Sequence, residues 1–204
     1  MKTELDFIKI NGYYGGDQHW YPDMFMRMAG CSAVCASEAC AYLALHFPHL
    51  RKLYPYDPEN ITKEEFIRFM ITMFKYVTPG FMGMRSIKRF KRCFTEYANA
   101  ADADVRLTLL DGEADEAAAK EFVTRGLDAG YCVLNLLLTH KDSELDELTW
   151  HWFTLTGYEK TGDDMRVDFA TWGKKHTLDF SRLWNTGTQS RGGMVIISGP
   201  NDKF

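Results

Sequence analysis

The order of apolar and polar residues divides the chain into a helical first half and a strand-rich second half. Residues 31–45 are rich in alanine and leucine, which favour a helix. Further on, Thr62 and Glu65 are spaced as a capping box ahead of an apolar stripe with a helical period. The segment "SIKRFKRCFTEYANA" repeats that period at residues 86–100. The pattern therefore predicts three helices within residues 1–100.

The second half alternates apolar and polar residues with the period of a strand. One helix rich in alanine and glutamate interrupts this alternation at residues 113–130 and is closed by a glycine. Short turns such as "KTGDD" separate the strands, as is typical of antiparallel hairpins. The strand-like runs fall at residues 104–112, 131–139, 150–159, 165–172, 175–180 and 192–199.

These elements predict an α+β fold in which a helical half packs on a mostly antiparallel β-sheet. The chain has 204 residues and no linker, internal repeat or low-complexity tract that would divide it. We therefore expect a single domain over residues 1–204, with a helical half at 1–100 and a sheet half at 101–204.

Composition and charge narrow the range of partners. The residues are 46% hydrophobic and 25% charged, the formal net charge is -4, and no long basic run offers nucleic acid a positive surface. No apolar segment approaches the ~20 residues that span a bilayer, and the N-terminal stretch lacks the apolar core of a signal peptide. We therefore expect a cytoplasmic protein with no nucleic-acid or membrane partner. The sequence carries no signal for an oligomeric state.

Three cysteines lie close together in "MAGCSAVCASEACAYLA", residues 28–44. The chain has five cysteines, an odd number that does not suit a complete disulfide framework, so we expect free thiols in a reducing compartment. Cys31 and Cys35 share a helical face, but no second pair of ligands with zinc spacing accompanies them. We therefore expect no metal and no cofactor.

Cys31 differs from the other cysteines because it falls at the first turn of the predicted helix, directly after Gly30. The unpaired N–H groups and the dipole of a helix N-terminus favour a negative charge, and a thiol attacks only as the thiolate. Cys35 and Cys40 lie deeper in the helix, where this effect fades. Cys31 is therefore the candidate nucleophile. The alternative is a buried cysteine that acts only as a small apolar side chain.

A candidate base for this thiol is His151, in the strand-like run "TWHWFTLTGYEK" at residues 149–160. The next strand follows after a short turn and contains Asp168. A carboxylate beside the imidazole would fix its tautomer and stabilise the imidazolium, which completes a trio of nucleophile, base and orienting group. For an isolated histidine on a sheet, simple packing is the alternative.

A Gly-Cys-Ser helix start, a histidine 120 residues later and "TWG" after a further strand together resemble the papain-like cysteine peptidases. In particular, "HWFTLTGYE" is similar to the second motif of the C39-like branch, where "H-x-x-x-x-x-G-Y" precedes an acidic or amide residue before "WG". The resemblance covers both motifs and the order of elements but does not extend to residues 50–130. It implies a papain-like fold with Cys31 as nucleophile and His151 as general base and later general acid.

The same resemblance suggests two further roles. Papain relatives carry Asn directly before an "SWG"-like segment, but this sequence has Ala170 there, so Asp168 on the same strand face is expected to orient the ring. The family also places a Gln upstream of the cysteine as an oxyanion donor, which points to Gln18, with Asp17 and His19 as competing candidates. The backbone N–H of the cysteine would supply the other donor.

The expected function is that of a cysteine peptidase that hydrolyses a peptide or amide bond through Cys31, His151 and Asp168. Transfer of the acyl group to an amine instead of water is the alternative on the same fold, because the choice of acceptor depends on pocket shape. The non-enzymatic alternative is a papain-like scaffold that has lost turnover and binds a peptide. It stays an alternative because Ala170 stands where papain relatives carry the orienting Asn.

Overall fold

Helices pack against a seven-stranded sheet in the computed structural model, which describes residues 1–80 and 83–202. The strand pairs of this sheet are antiparallel, so the α+β class predicted from the sequence is confirmed. In chain order the strands are β1 Lys2–Glu4, β2 Lys9–Ile10, β3 Tyr13–Tyr14, β4 Arg106–Asp111, β5 Val133–Leu137, β6 His151–Thr161, β7 Asp164–Thr171, β8 Lys174–Asp179 and β9 Gly192–Ser198.

The four helices predicted from the sequence are confirmed, and two shorter ones join them. None of the helices in the described part of the chain is long and apolar enough to cross a membrane. The α-helices are α1 Met24–Ala29, α2 Cys31–His46, α3 Lys63–Tyr76, α4 Ile87–Ala100, α5 Glu116–Asp128 and α6 Phe180–Trp184. The described residues also form 3-10 helices at Gln18–Trp20, Pro48–Leu53 and Ser143–Leu148.

Strand β6 lies near the middle of the large sheet, whose order is β4-β9-β5-β6-β7-β8. It pairs with β7 along one edge, and along the other edge it pairs first with β5 and then, further along, with β1. The short β2 and β3 form a separate hairpin before α1. The first hundred residues are therefore not purely helical, because their first strand completes the sheet of the second half.

Helix α2 is the central element of the helical layer. Residues 31–44 are all buried, and the helix packs against both α3 and β6. Alanine, serine and cysteine surround its axis, and a helix that is apolar or small on every side can be buried all round. The N-terminus of α2 therefore lies deep in the molecule, close to β6.

The two layers are joined beside the first residues of β6. The ring of Trp152 stacks on Phe90 of α4 with 4.7 Å between centroids, and its indole N–H donates to the carbonyl oxygen of Met84 at 2.6 Å. Trp152 and Phe90 are both fully buried. The start of β6 is thereby fixed against the helical layer.

Candidate active site

Cys31 is the first residue of α2, as predicted, and follows a glycine that the local geometry requires. A Cβ atom on Gly30 would lie 2.4 Å from the carbonyl oxygen of Met26 and 2.5 Å from the ring of Tyr21. Real Cβ atoms do not approach so closely, so only glycine permits the abrupt passage from α1 into α2. This connection places Cys31 at the N-terminus of α2, where the residue is 6% exposed.

The resting form of Cys31 is the neutral thiol. Burial raises the pKa of the thiol, and the backbone N–H groups of Trp152, Ser32 and Cys31 itself lower it by less. The helix N-terminus thus acts in the direction expected from the sequence, but desolvation outweighs it. The backbone N–H of Trp152 lies near enough to the sulfur to lower this pKa. Because Trp152 directly follows His151, the sulfur lies beside the start of β6.

His151 opens β6 and is 6% exposed. Its Nε2 lies 2.7 Å from the hydroxyl oxygen of Thr171, the last residue of β7, and its ring stacks on Trp172 with 4.9 Å between centroids. Burial lowers the pKa of His151 to about 4, and the nearby His19 acts in the same direction. The imidazole is therefore neutral near pH 7 and can accept a proton at its other nitrogen.

Asp168 does not reach this ring, contrary to the expectation from the sequence. Its partner on β6 is Gly157, six residues beyond His151, which is roughly 20 Å along the strand at about 3.3 Å per residue. The carboxylate instead lies 3.0 Å from Nζ of Lys175 and accepts a hydrogen bond from the hydroxyl of Thr177. Position along the strand separates Asp168 from His151, and the side chain that contacts the ring nitrogen is that of Thr171.

Trp172 adopts a backbone conformation that is unfavourable for its size. It forms a two-residue turn with Gly173 between β7 and β8, and their φ angles are +52° and +69°. Asn-Gly is preferred in such a turn, and a bulky side chain at positive φ is an outlier. The stacking of the indole on His151 gives a reason for tryptophan at this position, since strained residues cluster at functional sites.

Gln18 begins a 3-10 helix in the segment before α1 and faces the same pocket as Cys31. Its Oε1 is buried and has no hydrogen-bond partner among the described residues. The two competing candidates pair with each other instead, because the Asp17 carboxylate accepts from the backbone N–H and lies 2.7 Å from Nδ1 of His19. Of these three side chains, Gln18 is the one that lines the pocket.

One narrow pocket brings the candidate residues together. Cys31, His151, Thr171, Trp172 and Gln18 all line it. Its volume is about 10 Å³, near the minimum that holds one water molecule. The candidate nucleophile, the candidate base, the hydroxyl of Thr171 and the side-chain amide of Gln18 therefore meet in one crevice between α2 and the β6–β7 edge.

The pocket floor contains a residue that the sequence reasoning missed. Glu38 of α2 is 1% exposed, and its two carboxylate oxygens accept from the backbone N–H of Gly16 at 2.7 Å and the hydroxyl of Thr154 at 2.6 Å. The available signal was a single charged residue among the small and apolar residues 31–44. In such a helix the acid has no solvent-facing side to occupy.

The other sulfur atoms add no second chemistry to the pocket. The five cysteines are free, and burial raises the pKa values of Cys35, Cys40 and Cys132. Within residues 1–80 and 83–202, no group of three or more His, Cys, Asp or Glu side chains is arranged to hold a metal ion.

Comparison with known proteins found no matching family model, no matching characterised protein and no matching solved structure.

Proposed function

We propose that the chain is a cysteine-dependent hydrolase of papain-like fold that cleaves a peptide or amide bond. Cys31 is the nucleophile, and His151 is the general base and later the general acid. The observation that carries this proposal is the shared pocket: the sulfur and the ring come from opposite halves of the chain and line one crevice. Nucleophile and base are remote in sequence and close in space in enzymes of this kind.

The first step starts from a neutral thiol and a neutral imidazole. When Nε2 carries the ring hydrogen and donates it to Thr171, Nδ1 of His151 is left as the base. The thiol proton moves to Nδ1 as the Cys31 sulfur bonds to the substrate carbonyl carbon, and the carbonyl oxygen becomes an oxyanion. The backbone N–H of Cys31 and the side-chain amide of Gln18 are the donors available to that oxygen.

The second step releases the products. The imidazolium of His151 gives its proton to the leaving amine, the carbon–nitrogen bond breaks, and a thioester remains on Cys31. Water then attacks the thioester while the ring takes a proton from it. The acid leaves and the thiol is restored with that proton, so no further reagent is needed.

Thiol labelling tests this proposal without knowledge of the substrate. Cys93 is the one cysteine that is partly exposed, so a Cys93→Ser background removes unspecific reaction. In that background we expect iodoacetamide to label Cys31 at least about tenfold faster than the other thiols. His151→Asn, which keeps a polar side chain but no base, should slow this labelling about tenfold or more, since a general base contributes 10²–10⁴-fold.

The rates are measured by mass spectrometry of peptides at fixed pH. A Cys31 that reacts no faster than Cys132, or whose rate His151→Asn leaves unchanged, contradicts the catalytic assignment. That result would favour a papain-like scaffold that binds a partner without turnover.

Thr171 allows a finer test of the ring's orientation. Thr171→Val keeps the shape of the side chain but removes the hydroxyl that meets Nε2 of His151. We expect labelling of Cys31 to slow by about three- to tenfold, because one neutral hydrogen bond contributes about 1 kcal/mol. Thr171→Ser retains the hydroxyl and is the matched control, with an expected rate within about twofold of the parent. Equal rates in the two variants would exclude an orienting role for the hydroxyl.

A further inference from the structure

Glu38 lies beneath the candidate site, seven residues beyond Cys31 on α2, which is about 10 Å along the helix axis at about 1.5 Å per residue. Its Oε2 accepts the hydroxyl hydrogen of Thr154 at 2.6 Å. Thr154 lies on β6, three residues after His151. The carboxylate thereby ties the helix that carries the nucleophile to the strand that carries the base.

The other carboxylate oxygen reaches the segment that carries Gln18. Oε1 of Glu38 accepts from the backbone N–H of Gly16 at 2.7 Å, two residues before Gln18. The carbonyl oxygen of Gly16 in turn accepts from the backbone N–H of Gly173 at 2.8 Å. Gly173 belongs to the turn that follows Thr171 and closes over the His151 ring. Through its N–H and its carbonyl oxygen, Gly16 therefore joins Glu38, the Gln18 segment and the turn beside His151.

The backbone beside Glu38 is built for this close approach. A Cβ atom on Gly15 would lie 2.5 Å from Oε1 of Glu38, and its φ of +77° disfavours any other residue. A Cβ atom on Gly16 would lie 2.6 Å from the ring of Phe66. The glycine pair in "GYYGGDQ" thus lets the chain pass directly over the buried carboxylate.

We propose that Glu38 is a positioning residue for the Cys31 and His151 site. It holds the Gln18 segment and the turn after Thr171 in register with the start of α2, and this role rests on the function proposed above. Glu38 does not take part in bond making. It acts through the Gly16 peptide on one side and Thr154 on the other.

The protonation of Glu38 tunes this arrangement. The titratable side chains that face it are the thiols of Cys31 and Cys35 on its own helix, Cys132 ahead of β5, and His151 across the pocket. The raised pKa values of the thiols and the low pKa of the imidazole leave all four groups neutral near pH 7. No cation among them stabilises the carboxylate.

Burial consequently raises the pKa of Glu38 to about 7, while the hydrogen bonds from Thr154 and Gly16 lower it by less. The carboxylate forms as the pH rises through about 7, and hydrogen bonds to an ionised acceptor are roughly twice as strong as neutral ones. The Gly16 peptide is therefore held more firmly above this pH. Below it, the protonated acid binds the segment more weakly.

An NMR titration tests the physical link independently of catalysis. In a Cys31→Ala protein, which has no nucleophile, the amide resonance of Gly16 is followed from pH 5 to 9. We expect an inflection near pH 7, and we expect Glu38→Gln to abolish it while the rest of the spectrum remains that of a folded protein. An unchanged inflection in Glu38→Gln, or none in the parent, overturns the proposal.

The rate of Cys31 labelling, in the Cys93→Ser background, tests the consequence for the site. We expect the labelling rate of the parent to rise in a step near pH 7, as Glu38 ionises. Glu38→Gln keeps two hydrogen-bonding atoms but stays neutral like the protonated acid, so we expect its rate at pH 8 to fall to no less than about a third of the parent's and its pH profile to lack this step. Glu38→Ala should lower the rate at least about tenfold. If Glu38→Ala does not fold, the positioning role is tested by the pH profile of Glu38→Gln alone, which should lack the step near pH 7. Equal rates and profiles in all variants contradict the positioning role.

The two proposals fail in different ways. If Cys31 stays unreactive in every protein while the Gly16 amide still titrates with Glu38, the hydrolase assignment fails and the structural link stands. If Cys31 reacts in a His151-dependent manner but does so unaltered in Glu38→Gln and Glu38→Ala, the assignment stands and the role of Glu38 is withdrawn.

Discussion

Replacing Cys31 with alanine is expected to reduce hydrolysis by at least about 10³-fold. In the proposed reaction the sulfur is the atom that forms the acyl bond, and loss of a catalytic nucleophile leaves only the contribution of the oxyanion site and of substrate binding. The change removes a small side chain that is 6% exposed, so we expect the fold to survive. The measurement is the release of fluorescence or new termini from a pooled library of peptide and amide substrates.

Cys35→Ala provides the matched control, because this thiol is also buried, belongs to the same helix and lines the same pocket. Activity within about fivefold of the parent is expected for it, since no step of the reaction uses its sulfur. Comparable losses in the two variants would indicate that packing at this helix, and not the chemistry of Cys31, controls the rate. Full activity in Cys31→Ala would refute the nucleophile assignment directly.

Trp152→Ala should lower the free energy of unfolding by about 4 kcal/mol, within the range of 3–5 kcal/mol seen when a buried tryptophan is truncated. Trp152 is 1% exposed, stacks on Phe90 and satisfies the carbonyl oxygen of Met84. The substitution opens a cavity between the two layers and leaves that oxygen without its donor. Urea unfolding followed by circular dichroism measures the change.

The neighbouring tryptophan is the natural comparison. Trp150 is 41% exposed, and the Arg85 guanidinium lies over its ring, 4.6 Å from the centroid. Such an exposed contact contributes roughly 0.5–1 kcal/mol, so we expect Trp150→Ala to cost about 1 kcal/mol or less. Similar losses for both substitutions would mean that the start of β6 is not the junction between the layers.

Composition and periodicity were sufficient for the long elements of the fold. The helix at Cys31 was predicted from its alanine and leucine content, the helices around Thr62 and Ser86 and the strands of the second half from apolar spacing, and all are present. The short strands near the N-terminus were not predicted, because two or three residues carry no readable period. β1 forms by pairing with the far end of β6, a contact that joins residues 2–4 to residues 157–159.

The candidate site was predicted less completely. Cys31, His151 and Gln18 line one pocket, as the motifs suggested. Asp168 does not reach the ring of His151, because the strand register places it opposite Gly157. A bulge between Leu155 and Gly157 and the pairing of Gly157 with Asp168 decide which side chain meets the ring. Neither feature can be read from alternation alone, which gives the face of a strand but not the position along its neighbour.

Glu38 was missed for a related reason. A glutamate in a helix is ordinarily solvent-exposed, and only the burial of α2 on all sides reverses that expectation. Its partners Gly16 and Thr154 lie 22 and 116 residues away in the sequence, so no local pattern marks them.

The all-round burial of α2 has a consequence for how the molecule fluctuates. Segments that open independently of the rest usually have few buried contacts, whereas amides in a helix enclosed by both layers exchange with solvent only when most of the structure opens. Cys31, the proposed nucleophile, would thus be carried by one of the slowest-exchanging parts of the protein. We therefore expect a substrate to reach the crevice through movement of the segments around it, with α2 remaining folded.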